Sequence, residues 1–282
     1  MFRLLACSLY LLSLLPIYAQ ATAVEERMTN GFYASADYIE GDANKPAILL
    51  LHGFLTVHTI NLIQNITTEL AGNQYTVLAP TLTLGINKRR TSLECNALHL
   101  HDMDADIKEI DWWVNWLIAK GHNNIILIGH SSGAVQLTNY ASSQKHPEVT
   151  RLIELSLVPL GNLNREQFQA SMKLAHKMIA DKNVAMTNFT LAYCIETYTS
   201  PPKNFMSYAT WDSTKILKTL KALNINRHVI MGSNDIPVND TWIPDLRKTG
   251  ASVDVITGAD HFFGAGTEFE LYDKILAALA SK

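Results

Sequence analysis

The 282-residue chain lacks an excess of either charge sign: 23 Lys+Arg stand against 26 Asp+Glu, a formal net charge of -3. That balance leaves no basic footprint for nucleic acid and no acidic tail. Glycine (14) and proline (9) are too few for a collagen-like chain, and a hydrophobic content of 48% is too high for a disordered one. Three cysteines do not make a disulfide scaffold. The composition is that of a globular protein with one large domain or two small ones.

One segment departs from it. Met1-Phe2-Arg3 is followed by an apolar run from Leu4 to Tyr18, then by small residues at Ala19, Ala21 and Ala23. A short cationic start, a short apolar core and small residues spell a secretory signal peptide over residues 1–21. As a membrane span the run is short of the roughly 20 residues required, and Pro16 interrupts it. The mature chain is therefore expected to be periplasmic or secreted, with no membrane span after cleavage. Two cysteines would remain, Cys95 and Cys194. Export would place them where pairing is allowed. Two separate buried thiols fit equally well, because spacing alone does not bring sulfurs within bonding reach.

Beyond the leader, short apolar runs alternate with helical patterns. The runs are Pro46–Leu51, Tyr75–Ala79, Asn124–Gly129, Arg151–Val158, His228–Gly232 and Ser252–Thr257. Most are continuously apolar, as strands covered on both faces are. Asp104–Lys120 carries Ile107, Ile110, Val114, Leu117 and Ile118 at helical spacing and stops at Gly121; Ser132–Lys145 and Thr267–Ala280 read the same way. Strands alternating with helices predict an α/β fold, a mostly parallel sheet wrapped by helices. Gly31–Glu40 is expected to supply an antiparallel edge strand or hairpin.

Pro159 to Asn226 breaks the alternation. It has no strand-like run but a strongly helical stretch at Arg165–Lys182, and a structureless loop of that length does not suit a compact domain. Residues 22–282 are accordingly read as one domain carrying a helical cap insertion at about 160–226. Phe168, Met172, Leu174, Met178, Phe189, Tyr193, Phe205, Met206 and Tyr208 either line a pocket or pack the cap onto the sheet.

The strongest local signal is Gly129-His130-Ser131-Ser132-Gly133, a G-x-S-x-G pattern between an apolar strand and a helix. A sharp strand-to-helix turn holds a serine hydroxyl exposed in a strained conformation, and small flanking residues permit the turn. The helix N-terminus behind it offers backbone donors to an oxyanion.

With this element the chain resembles an α/β-hydrolase from about Pro46 to the C-terminus. Leu50-Leu51-His52-Gly53-Phe54 matches the family's His-Gly strand end. The resemblance implies an oxyanion hole from the backbone N–H groups of Phe54 and Ser132, with His52 holding the loop. It also implies the order nucleophile, acid, base. His261, in Gly258-Ala259-Asp260-His261, is then the base; Asp235, in Gly232-Ser233-Asn234-Asp235, is the acid, with Asp240 and Asp260 as competitors. Asp260 adjoins His261, and neighbouring side chains of an extended segment point apart.

Cys95, His99, His101, Asp102 and Asp104 form a ligand-rich stretch, but without familiar zinc spacing, and they fit the approach to a helix N-terminus better. Trp112, Trp113 and Trp116 are read as sheet-facing. The expected protein is an exported serine hydrolase cleaving a small or lipid-like carboxylic ester through an acyl-enzyme, with Ser131, Asp235 and His261 as its triad. No metal or other cofactor is called for. An amidase or peptidase with the same triad, or a non-catalytic binding protein on the same fold, are the alternatives.

Overall fold

The computed structural model describes residues 21–143, 145–161, 165–236, 239–264 and 266–281. The expected leader, Ala21 excepted, lies outside the described residues. The chain opens with an antiparallel hairpin, β1 (Thr22–Arg27) and β2 (Tyr33–Ile39). There follow β3 (Ala47–Leu51), α1 (Asn61–Gly72), β4 (Thr76–Thr81), α2 (Met103–Ala119), β5 (Ile125–His130), α3 (Ser132–Ser142) and β6 (Val149–Leu155). The insertion comprises α4 (Arg165–Ala180), β7 (Thr187–Leu191), β8 (Cys194–Ser200), α5 (Pro202–Ala209) and α6 (Ser213–Ala222). The chain then closes with β9 (Asn226–Gly232), α7 (Trp242–Lys248), β10 (Ser252–Ile256) and α8 (Glu268–Ala280).

Eight strands form one sheet in the order β1-β2-β4-β3-β5-β6-β9-β10. The pairings from β4 through β10 are parallel; β1 and β2 add an antiparallel edge, with Ser35 opposite Thr81. The continuous apolar runs of β3 and β5 follow from burial on both faces. Ala47, Leu49 and Leu51 of β3 and Leu127 of β5 join a core with α2, α3 and the insertion. Their alternating neighbours Ile48, Leu50, Ile126 and Ile128 pack with α1 and α8 on the opposite face. Leu50 is fully buried, and a side chain so placed contributes about 1.5–3 kcal/mol by leaving water.

The ligand-rich stretch before α2 serves packing and capping. Asp102 caps α2 by accepting the Ala105 N–H at 2.8 Å. His99 stacks on Tyr198 with ring centroids 4.2 Å apart, and Cys95 is bonded to Cys194. Trp113 is fully buried in the core, with Trp112 and Trp116 packed against it.

The insertion differs from the all-helical reading. β7 and β8 form an antiparallel hairpin, with Phe189 opposite Tyr198. Their sequence sets polar residues among the apolar ones, the fully buried Thr190 included, and so lacks the continuous apolar character that marks the parallel strands. The turn, Ala192-Tyr193, has none of the usual glycine or asparagine signals.

One buried group in the sheet has a measurable consequence. Glu154 on β6 is fully buried, and burial raises its pKa to about 8; Thr138 Oγ1 donates to it, and the Arg227 charge acts in the opposite direction to burial. A carboxyl whose pKa is raised on folding costs no stability below its ordinary value of 4.5. Between there and about 8 the unfolded chain ionises while the folded one does not, so stability falls as pH rises. Glu154→Gln should therefore flatten the fall in Tm between pH 5 and 8. Parallel wild-type and variant melting curves would contradict this assignment.

Candidate active site

The sheet delivers three side chains to the carboxyl ends of its strands. Ser131 sits in the turn from β5 to α3, Asp235 follows β9 and His261 follows β10. Ser131 has φ 56 and ψ −119, a conformation non-glycine residues rarely adopt. The two glycines of the motif make the turn possible. A Cβ on Gly129 would lie 2.7 Å from the Ala134 nitrogen, and one on Gly133 would lie 2.4 Å from the His52 carbonyl oxygen. Gly133 thus lets the β3 loop rest directly on the first turn of α3.

The three side chains form one chain of hydrogen bonds. His261 Nε2 is 2.9 Å from Ser131 Oγ, and His261 Nδ1 is 2.6 Å from Asp235 Oδ1. Asp235 Oδ1 also accepts the Ile236 N–H at 2.5 Å, and the Asp235 side chain is almost wholly buried. The competitors lie elsewhere. Asp260 Oδ1 accepts the N–H groups of Phe262 (2.9 Å) and Gly264 (3.2 Å), closing the turn that carries His261, while Asp240 is exposed.

Phe54 follows His52-Gly53 in the β3 loop, and Ser132 immediately precedes Gly133. Phe54 shares a cavity with Ser131, and Ser132 is the first residue of α3. Among the described residues neither N–H donates to a protein acceptor, which leaves both free for an oxyanion. His52 holds this loop as expected. Its Nε2 accepts the Leu82 N–H at 3.1 Å, so its Nδ1 carries the proton and donates to the Gly53 carbonyl at 2.8 Å. Burial first, and then the Arg89 charge, push its pKa down to about 3, which keeps it neutral.

Two supports escaped the sequence reading. Arg89, buried, donates to the carbonyls of Leu82 (2.6 Å), Thr56 (2.8 Å) and Thr91 (3.0 Å), fastening the loop that carries Phe54. His130 Nε2 (2.8 Å) and Ser156 Oγ (3.0 Å) both donate to the His261 carbonyl, fixing the backbone from which the imidazole projects. Burial, with the neighbouring His261 charge second, lowers the His130 pKa to about 4, so its ring acts as a neutral donor. His130 lay in view inside the motif; Arg89 carried no sequence signal, since its partners are backbone carbonyls.

Of the nine large insertion residues singled out from the sequence, Tyr193 is the one among the described residues that lines the cavity over Ser131, beside Leu160 and Ala192. Phe168, Met178, Phe189, Phe205 and Met206 instead pack within the core joining the insertion to the sheet. Tyr193 Oη donates to the Phe54 carbonyl at 3.3 Å, and the two rings meet edge to face at 5.5 Å.

A strained serine at the strand-to-helix turn after β5 is backed by a buried aspartate after β9 and a histidine after β10. Residues 48–268 match the family model described as the alpha/beta hydrolase family, and the chain belongs to that family. The fold is shared with solved structures of low identity. Alpha/beta hydrolase GrgF from Penicillium sp. sh18 superposes with TM-score 0.70 at 13% identity, over 92% of this chain and 98% of that one. The thioesterase domain from the curacin biosynthetic pathway gives TM-score 0.62 at 17% identity, over 92% and 99%. Esterase PF2001 of Pyrococcus furiosus gives TM-score 0.59 at 15% identity, over 93% and 90%. No curated protein sequence matches the chain.

Proposed function

We propose that this protein is an exported serine hydrolase that cleaves carboxylic esters. The observation that carries the reading is the continuous hydrogen-bond chain Ser131–His261–Asp235 at 2.9 and 2.6 Å. Ser131 Oγ attacks the ester carbonyl while His261 Nε2 takes its proton. Asp235 holds the Nδ1–H tautomer and stabilises the imidazolium. The oxyanion of the tetrahedral intermediate is bound by the Phe54 and Ser132 N–H groups, each worth about 3–4 kcal/mol in comparable sites. His261 then protonates the departing alcohol, and water, activated by the same imidazole, releases the acid from Ser131. The balance needs ester and water alone.

Export is supported by the leader-like residues 1–21 and by the Cys95–Cys194 disulfide, a bond that persists in oxidising compartments. Esterase activity is tested by turnover of nitrophenyl butyrate. Wild type should hydrolyse it, and Ser131→Ala should lower kcat by about 10⁴-fold or more. Equal rates in the two proteins would overturn the proposal.

A further inference from the structure

The cavity over Ser131 encloses about 310 Å³ and has two unlike ends. Its deep wall is Val158, Pro159, Leu160 and Ala192, all buried and all apolar. Its outer wall is Tyr193 and Phe262, whose residues are 52% and 54% exposed. Among the described residues no Asp, Glu, Lys or Arg lines it. Among the described residues its polar side chains are those of Thr56, His130, Ser131, Tyr193 and His261. Thr56 Oγ1 and Tyr193 Oη are already spent on the Gly53 and Phe54 carbonyls.

The two ends are tied to the two halves of an ester by the position of the base. Phe262 adjoins His261, and their rings meet edge to face at 5.2 Å. The group that His261 protonates on departure therefore leaves past the exposed Phe262. The group retained on Ser131 lies against the buried Val158–Leu160 and Ala192 wall. Resting on the serine-hydrolase reading, we infer that the deep pocket is an acyl site for an uncharged, apolar acyl chain, whereas the alcohol half projects to solvent and is little discriminated.

Energetics give the inference its slope. Each methylene moved from water to an apolar wall raises kcat/KM by about fourfold until the pocket is filled. A carboxylate at the end of the acyl chain would lose its hydration with no cation or donor cluster in the lining to replace it. A half-exposed alcohol site yields a far shallower dependence.

The test is three substrate series with the disulfide-bonded mature protein. Nitrophenyl esters from acetyl to hexanoyl should rise by about fourfold in kcat/KM per methylene. Nitrophenyl esters bearing a terminal carboxylate should fall by about 100-fold or more against neutral esters of equal length. Methyl to hexyl butyrates, followed by acid release, should vary by less than about threefold across the whole series. Ala192→Phe, which shortens the deep end, should lower hexanoyl turnover by about tenfold more than acetyl turnover. A flat acyl series, tolerance of the carboxylate, or a steep alcohol series with a shallow acyl one would overturn the assignment. Fluorophosphonate labelling of Ser131 in the same preparation separates the two levels. Labelling with a failed series removes the acyl-site assignment alone, whereas absence of both labelling and turnover removes the hydrolase reading with it.

Discussion

Asp235→Asn is expected to lower kcat on a nitrophenyl ester by about 10⁴-fold with little change in KM. The physical cause is the tautomer. Asp235 Oδ1 lies 2.6 Å from His261 Nδ1, a distance that a carboxylate satisfies by accepting the ring proton. An amide at the same place can present its own N–H, which puts the imidazole proton on Nε2, facing Ser131 Oγ at 2.9 Å. The base is then unable to take the serine proton. Substrate contacts are untouched, because Asp235 is sealed behind His261. Residues that act as one unit are not additive, so Ser131→Ala combined with Asp235→Asn should be no slower than Ser131→Ala alone. Steady-state kinetics on the three variants decide it. If Asp235→Asn kept more than about a tenth of wild-type kcat, the acid role would have to move to another carboxylate.

The second large effect belongs to the disulfide. Cys95 and Cys194 close a loop spanning 99 residues, for which the loss of denatured-state freedom amounts to about 4–5 kcal/mol. Cys95→Ala with Cys194→Ala should therefore lower Tm by about 10 °C in a domain of this size. Activity should suffer too. Cys194 begins β8 directly after Ala192-Tyr193, the turn that walls the cavity, and Tyr193 Oη donates to the carbonyl of Phe54, whose N–H we propose as an oxyanion donor. The hairpin is also tied to the loop before α2 by the His99 N–H, which donates to the Thr199 carbonyl at 2.8 Å, and by the His99–Tyr198 stack. Calorimetry and kcat/KM on the double variant, against wild type, test both halves. An unchanged Tm would mean that the denatured chain gains little freedom when the bond is absent.

Much of the molecule was legible in the sequence because its central strands are buried on both faces. Ile125–Ile128 reads as an unbroken apolar run for that reason, and the G-x-S-x-G element follows it directly. Helix α2 was legible to within a residue at each end because Asp102 caps it and one face is apolar. The β7–β8 hairpin was not, since a mixed polar and apolar pattern in an otherwise helical interval gives a weaker signal than a continuous apolar one. Helices α1 and α7 also passed unmarked. The three residues that meet at the site lie 26 and 130 positions apart, so the resemblance to a known family, rather than spacing, links them in the sequence. The pairing of Cys95 with Cys194 required the fold itself, which brings their Cα atoms to 5.4 Å. Arg89 and Ser156 were invisible because they act on backbone carbonyls, and the sequence does not show which carbonyls converge.

The central claim is that Ser131 is a nucleophile activated by His261. Its most direct measurement is peptide mass mapping after brief exposure to a fluorophosphonate. One phosphonyl group per chain, located on Ser131 and lost when His261 is replaced by alanine, is the predicted result. A protein left unmodified at Ser131, or modified there equally well without His261, would contradict the account.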